Sequence, residues 1–227
     1  MLKNGISLCH MILFSPAKIN IGLLVTSRRE DGFHDLQSVM VPVPPYDLIE
    51  IMENNGPEKG IFISHTGIPT GTGTQNNLCF RAYEMLDRET FLPPVNLHLH
   101  KQIPVGTGLG GGSSNASATL KGLNMLAPDP VSPEKLEEIA GGLGSDCPFF
   151  LHRGPMMTEG RGEILSPVRL HLEDLFIVLL YPGIHISTAE AYREVKPVMP
   201  DRHLENLINE PVDKWRDLIV NDFEVPV

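Results

Sequence analysis

The chain has 227 residues, 41% hydrophobic and 20% charged, enough apolar material for a packed core and too much for general disorder. Lys and Arg number 18 against 28 Asp and Glu, a net charge of −10, which argues against gripping nucleic acid through its phosphates. Three cysteines without a CxxC pair, Cys9, Cys79 and Cys147, fit neither a disulfide framework nor a structural zinc site, and read as reduced thiols in a cytoplasmic protein.

Lys3 and the apolar run 6–14 mimic a short signal peptide. Ser7, Cys9 and His10 interrupt the run and no small-x-small cleavage site follows, so that reading is set aside. No stretch approaches 18 consecutive apolar residues, so no membrane-spanning helix is expected. Residues 11–25 read as two short strands around a polar bend at Ser15–Asn20. A charged turn follows at Arg28–Gly32. Pro42, Pro44 and Pro45 interrupt the apolar run 36–52, which predicts edge strands or a bent strand. Ile61–Ser64 is a further strand and 67–77 a Gly/Thr/Asn loop. The stripe Leu78, Ala82, Met85, Leu86 predicts a helix over 77–88. Val95, Leu97 and Leu99 alternate with Asn96, His98 and His100, a strand over 95–101.

The segment Pro104–Ser114, PVGTGLGGGSS, holds five glycines, Gly106, Gly108, Gly110, Gly111 and Gly112. It follows a strand and opens a helix expected over 114–125. Glycines permit positive φ and close backbone approach, and the N–H groups of a helix start favour a phosphate. No Gly-Lys-Ser/Thr follows, so this is not a Walker A loop. No acid-ended strand follows at Rossmann spacing either. A flexible connector is the bland alternative. Ser132-Pro133-Glu134 opens a helix ending at Gly141-Gly142. Gly144-Ser145-Asp146 opens another, with Ser145 as its cap. The continuous apolar run Phe176–Tyr181 predicts a buried strand, and a helix is expected over 212–220. Mixed strands and helices give an α+β fold class.

Two further segments could carry chemistry. Ser15-Pro16-Ala17-Lys18-Ile19-Asn20 sets a lysine among apolar residues, as a cleft-held cation or a plain surface charge. In Gly144-Ser145-Asp146-Cys147-Pro148-Phe149-Phe150 a carboxylate precedes two phenylalanines, as a desolvated base or a helix cap. Together, SPAKIN (15–20), the D-G-F-H turn (31–34), PVGTGLGGGSSNASATL (104–120) and GLGSDCPFF (142–150) resemble the GHMP kinase superfamily. EGRGEILSPV (159–168) and YPGIHIST (181–188) extend the likeness. SPAKIN with D-G-F-H is similar to the branch that phosphorylates 4-diphosphocytidyl-2-C-methyl-D-erythritol, in the non-mevalonate (MEP) route to isoprenoids.

The resemblance implies a two-lobed fold, with a ribosomal-protein-like N-terminal lobe and an incomplete ferredoxin-like C-terminal one. It divides the chain into an extension at 1–10, an ATP-binding domain at 11–157 and a partial second domain at 158–227. It implies that Pro104, Val105, Gly106, Thr107, Gly108, Leu109, Gly110, Gly111, Gly112, Ser113 and Ser114 cradle ATP. It makes Asp146 the base and Lys18 the cation beside it. Asn20, Phe33, His34 and Tyr192 would meet the cytidine-linked substrate, Tyr192 stacking on the base and His34 hydrogen-bonding it. Phe33 stands where the branch has Tyr. A turn histidine satisfied within the protein is the plainer reading of His34. Mg2+ is implied by ATP, with ligands unknown and Ser114 one candidate. The superfamily's third motif, a second S-G-S-G loop, does not occur in these residues. A truncated second lobe, self-association through unpaired edges and little turnover are therefore expected. The alternatives are a GHMP kinase for mevalonate, homoserine or a sugar, a non-catalytic RNA-binding module, and an inactive fragment.

Overall fold

The structure, a computed structural model, describes residues 10–56, 59–71, 73–172, 174–181, 183, 191–193 and 195–224. The start of the N-terminal run and residues 184–188 of YPGIHIST lie outside these. The chain divides into two units: Met1–Ala17, Pro44–Val105 and Leu109–Leu151 form the first, and Lys18–Val43, Gly106–Gly108 and His152–Val227 the second.

Two long strands run through both units. β1 spans His10–Arg28 and pairs with β2, His34–Glu53. The two short strands expected over 11–25 are therefore one, and Ser15–Asn20 continues it. Ser15, Ala17 and Lys18 bury their side chains, so their burial holds the polar stretch extended. β2 is not an edge. It pairs antiparallel with β4 (Val95–Lys101) through Leu48–Glu53 and with β5 (Met156–Glu159) through Ser38–Met40. The prolines lie between these registers, where neither pairing asks them for an N–H.

In the first unit β4 also pairs in parallel with β3 (Ile61–Gly67), and α1 (Leu78–Asp87) lies between them in the chain. Asn77 caps α1 by accepting from the Cys79 N–H. Cys79, Ala82, Tyr83 and Leu86 then form one buried stripe at helical spacing. They pack with Ile49, Ile51, Val95, Leu97 and Leu99 and with α2 (Gly111–Leu126) and α3 (Pro133–Leu143). α3 starts at the expected Ser132 cap but passes through Gly141-Gly142. Leu143 extends its buried stripe of Leu136, Ile139 and Ala140, and that burial offsets the weak propensity of two glycines. α4 is short, Cys147–Leu151.

In the second unit β5 pairs with β6 (Ile164–Pro167). The segment at Asn221 bridges Leu23 in parallel, and Asp222 accepts from the Val25 N–H at 2.7 Å. Gly22 has φ +67, and a Cβ there would stand 2.7 Å from Ile219 Cγ2; only glycine admits both. α5 (Leu204–Leu207), a 3-10 turn at Val212–Lys214 and α6 (Trp215–Leu218) complete it, the last two standing where one helix is expected. The run Phe176–Tyr181 forms no strand and is exposed, Phe176 fully so. That corrects the buried strand expected there. An apolar run becomes a buried strand only if a neighbour takes its backbone hydrogen bonds, and no described strand pairs with it.

Candidate active site

The loop between β4 and α2 holds Gly106, Gly108 and Gly110 at φ 75, 75 and 70, a region L side chains avoid. Gly110 is the N-cap of α2, and no side chain caps this 16-residue helix. A helix start built this way presents its first-turn N–H groups and positive dipole end to an anion. Gly111 also meets a packing need. A Cβ there would lie 2.9 Å from Ile103 Cγ2 and 3.0 Å from Lys101 Nζ, so its bareness makes room for the end of β4.

Against this helix start sits a sealed polar network. Lys101 Nζ donates to Asp47 Oδ2, and the side chains are 2% and 0% exposed. Asp47 Oδ1 accepts the N–H groups of Gln102 and Ile103 at 2.6 and 2.9 Å. Asn115 accepts from Lys101 at 3.1 Å and donates to Asp47 at 2.9 Å and to Ser15 at 3.0 Å. Ser15 donates to Ser114 at 2.7 Å.

Asp146 is half-buried on the turn before α4. Helix α4 itself starts one residue later than Asp146, at Cys147. Ser117 donates to the Ser113 and Cys147 carbonyls at 3.0 and 2.7 Å. The glycine-loop exit and the Asp146 turn are thereby fastened to the same stretch of α2. Burial pushes both the Cys147 and the Cys79 thiols up to about 11, so neither offers a thiolate at neutral pH.

In the second unit Lys18 is buried in β1 and donates to Asn20 Oδ1 at 2.7 Å. Asn20 donates to Ser38 at 2.7 Å, and Ser38 to the Gly22 carbonyl at 2.6 Å. Residues two apart share a strand face, so the spacing in SPAKIN puts Lys18 and Asn20 together. The His34 ring stacks on Tyr192, centroids 5.2 Å apart at 16°, and Phe223 meets Tyr192 edge-on at 4.9 Å. Phe33 is half-exposed, with the Arg161 guanidinium 3.7 Å above its ring.

Residues 77–154 match the GHMP kinases N terminal domain. The 4-diphosphocytidyl-2-C-methyl-D-erythritol kinase of Bacteroides fragilis is 42% identical over 217 residues, 96% of this chain and 79% of its own length. That of Azobacteroides pseudotrichonymphae is 44% identical over 215 residues, 94% and 79% of the two. This chain belongs to the 4-diphosphocytidyl-2-C-methyl-D-erythritol kinase family.

A crystal structure of a 4-(cytidine 5'-diphospho)-2C-methyl-D-erythritol kinase matches with a TM-score of 0.75 at 31% identity, over 95% of this chain and 76% of that one. The Methanococcus jannaschii mevalonate kinase gives 0.60 at 15% identity, a likeness of fold alone. In this member of the kinase family, the motifs left Asp47, Lys101, Ser38 and Phe223 outside, and included Asn115 and Arg161 without a role. One signal was available. Lys101 continues the buried odd-numbered face of Val95, Leu97 and Leu99, and a lysine there needs a buried partner.

Proposed function

We propose that this kinase transfers the γ-phosphoryl group of ATP to a hydroxyl of 4-diphosphocytidyl-2-C-methyl-D-erythritol. The observation that carries the reading is the uncapped, left-handed glycine loop opening α2, with the Asp146 turn tied to that helix through Ser117. The loop Pro104–Ser114 holds the nucleotide phosphates, with the first-turn N–H groups of α2 at Gly111, Gly112 and Ser113 as the donors. Asp146 takes the proton of the attacking hydroxyl. The hydroxyl oxygen bonds to the γ-phosphorus, the bond from that phosphorus to the bridging oxygen breaks, and ADP leaves. Lys18, steered by Asn20, supplies positive charge to the transferring group. Asn20, Phe33, His34 and Tyr192 meet the cytidine-linked substrate; the His34–Tyr192 stack is a ready aromatic surface for the base. Ser114 does not fit the Mg2+ role suggested for it. It is 1% exposed and its hydroxyl already accepts from Ser15, and no group of three His, Cys, Asp or Glu among the described residues suits a metal.

The domain division at 11–157 and 158–227 is part of the same reading, as is self-association through unpaired sheet edges. Among the described residues no helix is long and apolar enough to cross a membrane; a cytoplasmic location belongs to the same proposal. The test is phosphoryl transfer from labelled ATP, offered the cytidine-linked alcohol beside mevalonate and homoserine. Label in the cytidine-linked product alone is expected. Preferential labelling of either other alcohol refutes the substrate assignment.

A further inference from the structure

A buried ion pair is rarely needed for stability, since a well-packed apolar pair of similar size does as well or better. The Lys101–Asp47 pair therefore calls for another reason. Its hydrogen bonds suggest one. Asp47 holds the N–H groups of Gln102 and Ile103, the two residues before Pro104 where the glycine loop begins. The same carboxylate, with Lys101, holds the side chain of Asn115 in the first turns of α2, just past the loop's end. Gly111 completes the fit, because any side chain there would collide with Lys101 Nζ and Ile103. One carboxylate thus ties down both ends of the loop. Asp47 neutralises Lys101, and the ammonium is sealed from solvent, so it acts through geometry and not as a charge offered to phosphate.

We propose that Asp47, Lys101 and Asn115 are positioning residues that fix the span between the two ends of the glycine loop, and with it the aim of the loop's N–H groups at the nucleotide phosphates. The proposal rests on the reading of Pro104–Ser114 as the nucleotide site.

The test is the double substitution Asp47→Leu with Lys101→Met. It removes both charges together, leaves no orphaned buried ion, and releases the Gln102 and Ile103 N–H groups whose tether is under test. The KM for ATP should rise tenfold or more, while the KM for the cytidine-linked alcohol stays within twofold. Amide exchange over 104–112 in the free protein should accelerate at least tenfold. A merely structural role would lower the melting temperature and move neither quantity selectively. A folded double variant with an unchanged ATP KM and unchanged loop exchange overturns the proposal. Should that variant fail to fold, Asn115→Ala is read by the same two measurements, with the same outcome overturning it. The exchange arm needs no ligand, which separates this proposal from the function it rests on. Wild-type protein that binds no ATP refutes the nucleotide reading. ATP binding that survives the double variant, in a loop that exchanges no faster, refutes only the positioning role.

Discussion

Gly108→Ala isolates what the backbone of the glycine loop contributes. Gly108 has φ +75, and a Cβ built on it meets nothing within 4 Å, so no steric clash enters the calculation. What remains is the cost of holding an L residue in the left-handed region, about 1–2 kcal/mol. That cost must appear in one of two places. If the free loop keeps its shape, the variant melts lower, by about 2–4 °C per kcal/mol for a chain of this size. If the free loop relaxes, binding must restore the conformation, and about 1–2 kcal/mol there weakens ATP by roughly 5–30-fold. Thermal melting and calorimetric titration of ATP on one preparation read both. Gly111→Ala is the control, since its Cβ at 2.9 Å from Ile103 Cγ2 overpacks the free protein and should cost about 1–3 kcal/mol of stability with or without ligand. A Gly108→Ala protein with a melting point within about 1 °C and an ATP affinity within about twofold of its parent would refute the claim that ATP binds to this left-handed loop.

Asp146→Asn should lower kcat by roughly 10²–10⁴ and leave ATP affinity nearly unchanged, because the phosphates bind elsewhere; steady-state kinetics that keep more than about half the parental rate would remove Asp146 from proton transfer. Tyr192→Ala and His34→Ala should each raise the KM of the cytidine-linked alcohol by about 1–3 kcal/mol equivalent and spare that of ATP, and equal use of a uridine-linked analogue by the parent would contradict cytosine reading. Burial raises the Cys79 and Cys147 thiols from 9.0 to about 11, so the native state keeps protons that the unfolded chain releases first. Their contribution to stability is complete below about pH 9 and is lost as pH rises through about 11. Denaturant midpoints at pH 8 and about 10.5 should therefore differ, and the difference should shrink in a Cys79→Ala, Cys147→Ala protein; an equal drop in that protein would assign the loss to other groups.

Local patterns were enough for α1, β3, β4, the start of α3 and the glycine loop. Each rests on information carried by adjacent residues: the Asn77 and Ser132 caps, the alternation from Val95, and the clustering of Gly106, Gly108 and Gly110. The catalytic candidates were legible for the same reason, since SPAKIN and GSDCPFF are contiguous. The prolines of β2 misled because they say where an N–H is missing, not which neighbour is absent there. The polar bend expected at Ser15–Asn20 failed because Ser15, Ala17 and Lys18 are buried, Ser15 against Ser114 and Asn115 a hundred residues on. Phe176–Tyr181 failed in the opposite sense, as composition measures the benefit of burial but not whether a partner strand is there to provide it.

Glycine clusters, caps and two-residue alternation are local, so the sequence alone marked α1, β3, β4 and the start of α3, and singled out the glycine loop as the segment expected to meet a phosphate. The side of β4 on which Lys101 falls was equally readable. That Asp47, 54 residues earlier in the chain, meets it, that Asn115 joins both, and that a side chain at Gly111 would meet Lys101 Nζ and Ile103, required the tertiary structure. A buried charge specifies that it needs a partner of opposite sign; which residue fulfils that need depends on strand register and helix placement, and those are decided by the packing of the whole core.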